Sequence, residues 1–166
     1  MKDLLARTAI ITGSSSNLGR ATARTMAVRG ANVIINARTS ASEVDRVVNE
    51  IRAAGGKAVG VLADVTTPEG AALIVDRAHE AFGDVHILVS NVGIRDHAQF
   101  ADMTLDLWRK VVGTKLEAAF LLSQAVLPDM VRNGWGRIIY ISGIDAFWGK
   151  TGKAALTAAN LGLVGL

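Results

Sequence analysis

The sequence contains no cysteine and only three histidines among its 166 residues. The lack of thiols excludes a disulfide framework, a zinc-thiolate centre, an iron-sulfur cluster and a cysteine nucleophile. No group of Asp, Glu and His residues has the spacing of metal ligands, so we expect no metal site. The composition, 50% hydrophobic and 20% charged, is that of an ordinary folded domain. We therefore expect a single domain over residues 1–166, long enough to bury roughly 70% of its extended surface.

A long uncharged hydrophobic run is also missing. A helix that spans a bilayer needs roughly 18 to 20 apolar residues, and the longest uncharged segments are residues 8–19 and 154–166. The amino-terminal charges at Lys2, Asp3 and Arg7 are unlike a signal peptide, so we expect a cytoplasmic protein that binds no membrane. The net charge is +3, but basic and acidic residues alternate instead of forming a basic stripe, which argues against nucleic-acid binding.

Short apolar runs alternate with segments of helical periodicity along the chain. Strands are predicted over residues 8–12, 32–36, 58–63, 86–90 and 136–142. Helices are predicted over residues 18–28, 41–54, 68–82, 105–132 and 154–165. The strands are apolar on both faces and the connections contain helices instead of hairpins. This pattern predicts a Rossmann-like α/β fold, a doubly wound parallel sheet of about five strands.

A loop rich in glycine and serine, residues 12–19, separates the first predicted strand from the first helix. Its backbone N–H groups and the positive end of the helix dipole suit an anion, and a pyrophosphate is the natural guest. Gly13 and Gly19 allow a tight turn and close helix packing, and Asn17 is the non-glycine residue best able to adopt a positive φ. The alternative is that the loop merely joins a strand to a helix.

This loop and two later motifs together resemble the short-chain dehydrogenase/reductase family, and the resemblance covers all 166 residues. The family signature T-G-x-x-x-G-x-G corresponds to residues 12–19, with Asn17 in place of the middle glycine. The family's adenine-binding Asp with its apolar neighbour corresponds to Asp64-Val65. Its Asn-Asn-Ala-Gly motif corresponds to residues 90–93, Ser-Asn-Val-Gly. The resemblance implies a nicotinamide dinucleotide cofactor.

The end of the second predicted strand bears on which dinucleotide is bound. An acid there suits the ribose 2′-hydroxyl of NAD, whereas a cation suits the 2′-phosphate of NADP. Residues 35–38 contain no acid and one arginine, which favours NADP(H) over NAD(H), with Arg38 as the phosphate ligand and Asn36 and Ser14 as neutral neighbours. The alternative for Arg38 is a solvated loop cation. The expected cofactor-binding residues are Gly13, Ser14, Ser16, Asn17, Leu18, Gly19, Asn36, Arg38, Asp64, Val65, Asn91 and Gly93.

The positions that carry the family's reaction are filled differently in this sequence. Family members use a Tyr proton donor, a Lys that holds the ribose and lowers the pKa of that Tyr, a carbonyl-polarising Ser and a helical Asn. Aligned from residues 136–139, the first three fall respectively on Leu156, Asn160 and Gly143, and the helical Asn, counted from Trp108, falls on Lys115. The catalytic residues are therefore unknown, and Ser142 and Lys115 are the remaining candidates. The Ser142 hydroxyl points away from the site unless a bulge re-aims it, since adjacent strand residues face opposite sides.

Two groups offer substitute chemistry. Lys115 would replace the family's missing ammonium from another direction. As a hypothesis, it pairs with Asp145 or contacts the nicotinamide ribose. The alternative is an ordinary lysine on a helix surface. His97 with Asp96 is an acid/base pair near the carboxyl edge of the predicted sheet, where such folds bind ligands. The alternative for His97 is a solvated loop residue.

Two functions remain open. The first is an NADP(H)-dependent oxidoreductase of the resembled family, which acts on a small-molecule carbonyl or alcohol with a non-standard acid. The second is a catalytically inactive relative, dinucleotide-binding or cofactor-free, that acts through oligomer or partner association. Residues 161–166 end inside an apolar helical pattern, so we expect a truncated member without the last two strands of the family fold. The resemblance also implies a homodimer or homotetramer built on the helices over residues 105–132 and from 154 onward.

Overall fold

Strands and helices alternate in the computed structural model, which describes residues 2–166. The strands are β1 (Thr8–Ile11), β2 (Asn32–Ala37), β3 (Lys57–Leu62), β4 (Val85–Ser90) and β5 (Arg137–Tyr140). The helices are α1 (Asn17–Val28), α2 (Ala41–Ala53), α3 (Pro68–Phe82), α4 (Leu105–Val112), α5 (Ala118–Arg132) and α6 (Ala154–Gly165). Every predicted element is present, and its ends differ from the prediction by at most two residues.

The five strands form one parallel sheet in the order β3-β2-β1-β4-β5. Ile10 in β1 lies beside Ile34 of β2 on one side and Leu88 of β4 on the other. The strand order therefore reverses between β1 and β4, because the chain first adds strands on one side of β1 and then on the other. The Rossmann-like, doubly wound fold is confirmed, and a crevice is expected at the carboxyl ends of β1 and β4.

Helices cover both faces of the sheet. Alternate strand residues point to opposite faces, so Ile11 packs in the layer with α1 and α2, whereas Ile10 packs in the layer with α3 and α5. Both side chains are fully buried, which stabilises the fold by about 1.5–3 kcal/mol for each. The predicted sheet covered on each side is confirmed, although the two edge strands are less covered, since Leu62 of β3 and Ile139 of β5 are 42% and 43% exposed. An edge strand has a neighbour on one side only.

A five-residue π-helical segment, Gly113–Glu117, joins α4 to α5 without interrupting the helix. The single helix predicted over residues 105–132 is thus three consecutive helical pieces. The whole stretch, Leu105–Arg132, is long and apolar enough to cross a membrane by length and composition, but core helices of globular proteins share these properties. Here α5 packs against β4 and α3. The π segment carries Lys115 into the interior, which ordinary helical periodicity does not predict.

Candidate functional site

A cleft of about 1050 Å³ opens at the carboxyl ends of the strands. Its walls are the loops that follow β1, β2, β4 and β5, together with Lys115 from the π segment and one side of α6. The cleft lies where the strand order reverses, which is the ligand-binding position of open parallel sheets. Most of the residues expected to bind a cofactor line this cleft: Gly13, Ser16, Asn17, Leu18, Gly19, Arg38, Asn91 and Gly93.

The loop after β1 presents the first turn of α1 to the cleft. Ser16 is the N-cap residue, and its side chain makes no capping hydrogen bond, so the first N–H groups of the helix keep their donors free for an anion. Asn17 adopts φ +45°, which confirms the expectation for this position. A Cβ atom on Gly19 would clash with the main-chain oxygen of Gly13 and lie 2.7 Å from Asn91 Nδ2. Close packing of helix on loop therefore requires glycine at position 19.

Ser14 and Asn36, expected among the cofactor-binding residues as neutral neighbours of Arg38, do not line the cleft. Both are buried, with 0% and 2% exposure. Ser14 Oγ donates to Ile11 O at 2.6 Å and accepts from the Asn36 backbone N–H at 3.0 Å. The Asn36 amide group bonds Gly13 N, Val61 O and Ala63 O. These side chains tie the β1 loop to β2 and β3, so they act on the site through the position of the loop.

Arg38 follows β2 and is exposed at the rim of the cleft. Its guanidinium makes no ion pair with any carboxylate of residues 2–166, which leaves its hydrogen-bond donors free. Asp64 and Val65, at the end of β3, do not line the cleft. Val65 is a core residue, while Thr66 donates two hydrogen bonds to Asp64 Oδ1 and thereby lowers the pKa of that carboxyl. The expected adenine contact of Asp64-Val65 has no counterpart in the cleft walls.

Asn91, which follows β4, joins the two loops at the centre of the cleft. Its Nδ2 donates to Thr12 O at 3.0 Å and to Gly13 O at 3.3 Å. In the other direction, Thr12 Oγ1 accepts from the backbone N–H groups of Asn91 and Val92. Loops that follow adjacent strands are therefore held in one fixed relation, which preorganises the floor of the cleft before any ligand binds.

Lys115 lies in the wall of the cleft with only 7% of its surface exposed. Its Nζ donates to Ile141 O at 2.5 Å and to Val92 O at 3.4 Å. Burial lowers the pKa of Lys115 relative to an ordinary lysine, because desolvation disfavours the charged form. The alternative of a surface lysine is therefore wrong. The expected pairing with Asp145 is also wrong, since Asp145 Oδ2 accepts from Lys153 Nζ at 2.9 Å.

Gly143, Leu156 and Asn160 also line the cleft, so the structure brings all four positions of the family alignment to one cleft. Leu156 presents an apolar side chain. Asn160 is 4% exposed, and its Oδ1 has no hydrogen-bond partner in the described chain. Ser142 also lines the cleft, and its Oγ donates to the main-chain oxygen of Asn160 at 3.1 Å. The ionisable side chains that line the cleft are Arg38, Arg95, Lys115, Asp145 and Lys153.

The pair of His97 and Asp96 lies outside the cleft lining. Asp96 instead accepts from Lys110 Nζ at 2.7 Å, and both side chains are exposed. The two residues of the expected acid/base pair thus lie in an exposed loop, where Lys110 of α4 binds the Asp96 carboxylate. The sole tyrosine, Tyr140, bonds Ser123 Oγ through its hydroxyl at 2.7 Å and does not line the cleft either.

His79, Asp84 and Asp129 form a cluster that the sequence spacing does not reveal, since His79 and Asp129 are 50 positions apart. Their ligand atoms lie within 4.8 Å of one another. Arg132 donates to Asp84 Oδ1 at 2.7 Å and to Asp129 Oδ1 at 2.5 Å. The guanidinium therefore provides the positive charge that these carboxylates require, and the cluster is an ion-pair network between α3, β4 and α5.

The sequence of this chain is similar to those of known dehydrogenases and reductases. The family model described as short chain dehydrogenase matches residues 7–166. The chain is 34% identical to a 3-oxoacyl-[acyl-carrier-protein] reductase of Synechocystis over 99% of its own length and 67% of that relative. It is 32% identical to a D-beta-hydroxybutyrate dehydrogenase of Rhizobium meliloti over 98% of its length and 63% of the relative.

A solved structure shares the fold. It is described as a putative short-chain alcohol dehydrogenase from Sinorhizobium meliloti, and it superposes with a TM-score of 0.93 at 30% identity. The match covers 99% of this chain and 65% of that one. The chain thus spans about two thirds of the length of these proteins.

Proposed function

Because this chain belongs to the short-chain dehydrogenase family, we propose that it binds NADP(H) in the cleft and acts as an oxidoreductase on a small carbonyl or alcohol. The observation that carries the proposal is the meeting of two features in one cleft. The first turn of α1 offers its N–H groups there, and Arg38 offers an unpaired guanidinium beside them. The first feature suits a diphosphate and the second suits a further phosphate.

The lining residues fit an NADP-type dinucleotide. The amides at the start of α1, around Ser16 and Asn17, would hold the diphosphate. Arg38 would hold the 2′-phosphate, because the end of β2 provides Asn36 and Ala37 but no carboxylate to bind a free 2′-hydroxyl. Gly13 and Gly19 keep the loop close enough for the backbone to reach the ligand. The bound dinucleotide would supply the hydride, and the chain would bind, orient and exchange protons.

A second candidate function is dinucleotide binding without turnover. The observation in its favour is Leu156, which faces the cleft at the position where the resembled family has its proton donor. Leucine cannot donate a proton, and Asn160 carries no charge that would depress the pKa of a donor. Loss of a general acid costs roughly two to four orders of magnitude in rate. This candidate and the oxidoreductase share the cofactor and differ in chemistry.

We also infer self-association, as a homodimer or homotetramer. Phe120, Leu127 and Val131 of α5 are 49%, 50% and 70% exposed, and Leu161 and Val164 of α6 are 48% and 59% exposed. Large apolar side chains exposed on a helix favour burial against another surface. A cytoplasmic location is part of the same proposal.

One experiment separates the functions. NADPH is titrated into the protein while the enhancement of cofactor fluorescence is followed, and a panel of aldehydes, ketones and oxoacyl thioesters is then tested for NADPH consumption. Binding with turnover supports the oxidoreductase, and binding without turnover supports the second candidate. Absence of NADPH and NADH binding overturns both.

A further inference from the structure

Two cations that line the cleft, the exposed Arg38 and the buried Lys115, lie near different ends of the sheet. Arg38 follows β2, and Lys115 is bonded to Ile141 just beyond β5. In the order β3-β2-β1-β4-β5, β2 and β5 are separated by three strand spacings, which is about 14 Å. The first turn of α1, after β1, lies between them. A dinucleotide whose 2′-phosphate is at Arg38 and whose diphosphate is at α1 therefore extends its nicotinamide half toward Lys115.

Within residues 2–166, no carboxylate forms an ion pair with Lys115. Asp145, the carboxylate that lines the cleft, is paired with Lys153, so these two side chains carry no net charge together. Lys115 Nζ has two main-chain carbonyl partners, Ile141 O and Val92 O. An ammonium has three N–H donors, so one donor is left for a ligand in the cleft. Since the side chain is 7% exposed, water screens this charge poorly.

We propose that the Lys115 ammonium makes the cleft select the reduced dinucleotide, NADPH, over the oxidised form, NADP⁺. The inference rests on the proposed function, because it requires that the dinucleotide binds with its nicotinamide end near Lys115. The nicotinamide ring of NADP⁺ carries a positive charge that the ring of NADPH lacks. Like charges in a poorly solvated site repel, so Lys115 weakens NADP⁺ binding and leaves NADPH binding intact. When both forms are present, the protein is therefore loaded for reduction of a carbonyl.

The other charged groups near Lys115 have smaller effects on this balance. Arg95, in the loop after β4, is exposed, so solvent screens it. From the loop after β5 come Asp145 and Lys153, which form the neutral pair. The adjoining helix α6 contains no titratable residue, and on α4 Lys110 is exposed and bound to Asp96. Solvent also screens further exposed charges of these elements: Arg109 of α4, Glu117 of the π segment and Lys150 of the loop after β5. Lys115 is thus the buried charge that decides the preference.

The test measures three dissociation constants by calorimetry, for NADPH, NADP⁺ and adenosine 2′,5′-bisphosphate. The last ligand contains the 2′-phosphate end but no nicotinamide, so it reports on Arg38 alone. In the wild type NADPH binds more tightly than NADP⁺. Lys115→Met, which keeps the length of the side chain without its charge, reduces this ratio by roughly three- to tenfold. In the same variant the affinity for adenosine 2′,5′-bisphosphate stays within about twofold of the wild-type value.

Lys110→Met is the matched control, since it removes a lysine of the same helical stretch that does not line the cleft. A second measurement needs no variant: the NADPH to NADP⁺ ratio of the wild type is followed from pH 7 to pH 10.5. Because burial lowers the pKa of Lys115, the ammonium is lost at a lower pH than in an ordinary lysine, and the ratio falls as the pH rises.

The outcomes are distinct. An equal ratio in wild type and Lys115→Met, or a pH-independent ratio, overturns the inference while leaving NADP(H) binding intact. A parallel weakening of all three ligands in Lys115→Met assigns the residue a structural role and also overturns it. If the wild type binds none of the three ligands, the proposed function fails and this inference falls with it.

Discussion

The Nζ atom of Lys115 donates to the main-chain oxygen of Ile141 at 2.5 Å, and this bond links the π-helical segment to the end of β5. The two residues are 26 positions apart in the sequence. The bond holds an ammonium in the wall of the cleft, which Leu156 and Asn160 also line. A cation thus lies in the cleft that contains the positions aligned with the family's catalytic residues, although its side chain comes from a different element than the family's Lys.

Removal of the Arg38 guanidinium tests the assignment of the 2′-phosphate. We expect Arg38→Met to weaken NADPH binding by about tenfold, the equivalent of one exposed charge-assisted hydrogen bond. NADH binding stays unchanged, because NADH has no 2′-phosphate. Fluorescence titration measures both constants. Arg24→Met, at an exposed arginine of α1 that does not line the cleft, is the control. An equal loss for NADPH and NADH in Arg38→Met contradicts the assignment.

A methyl group at position 19 tests the close packing of α1 on the loop. In Gly19→Ala the new Cβ meets the Gly13 oxygen, and the backbone must shift. We expect the free energy of unfolding to fall by about 1–3 kcal/mol and NADPH binding to be lost. Gly165→Ala is the control, since nothing lies within 4 Å of a Cβ there. Unfolding in urea and NADPH titration of both variants measure the effects; normal NADPH affinity in Gly19→Ala contradicts this account.

The buried carboxylate of Asp129 makes stability depend on pH. Desolvation raises the pKa of Asp129, but hydrogen bonds from Val85 N, His79 and Arg132 outweigh it, and the pKa is lowered overall. A lowered pKa contributes stability that is present above the ordinary value of 3.8 and is lost as the pH falls through the folded value. We expect the free energy of unfolding to fall in acid, with a shallower dependence in Asp129→Asn.

Urea unfolding at a series of pH values measures that dependence. At neutral pH Asp129→Asn costs about 1–3 kcal/mol, because Arg132 and Val85 N lose part of their partner. Asp96→Asn, at an exposed carboxylate bound to Lys110, has little effect on the free energy of unfolding at neutral pH or on its dependence on pH in acid. An identical acid slope in wild type and Asp129→Asn would show that other carboxylates carry the effect.

Restoration of the family residues tests whether the absence of a proton donor at position 156 limits turnover. The combined variant Lys115→Asn, Gly143→Ser, Leu156→Tyr and Asn160→Lys places the hydroxyl donor and its ammonium in the cleft. We expect NADPH-dependent reduction of a carbonyl substrate to rise by about two orders of magnitude or more. Absorbance of NADPH measures the rate. The same variant with Leu156→Phe lacks only the hydroxyl, and equal rates in the two variants contradict a proton-donor role at position 156.

The exposed apolar side chains of α5 test self-association. We expect light scattering after size exclusion to show a dimer or tetramer, and Phe120→Glu to shift it toward monomer, because a charge is costly in a buried interface. Leu73→Glu on α3 is the control, since Leu73 is 43% exposed but belongs to another helix. A monomeric wild type, or an equal effect of both substitutions, contradicts an interface on α5.

The order of strands and helices, the parallel sheet and the glycine-rich turn follow from local features of the sequence. Apolar periodicity depends on residues that are neighbours in the chain, and turn chemistry depends on single backbone conformations, as at Asn17 with its positive φ. These features therefore predict the fold and the location of the cleft. They also predict Arg38 as a phosphate ligand, because that prediction depends only on its place at the end of a strand.

Partners of individual side chains depend on contacts between distant segments. The sequence predicts that Ser14 contacts a ligand, but its hydroxyl oxygen accepts a hydrogen bond from the backbone N–H of Asn36, 22 positions away. Lys115 was expected to pair with Asp145, but Lys153 lies nearer to that carboxylate, and a π turn aims Lys115 at Ile141. Periodicity in the sequence shows which face of a helix is buried. It does not show which polar groups form hydrogen bonds with each other, because each buried donor and acceptor pairs with whatever partner the tertiary packing brings within reach.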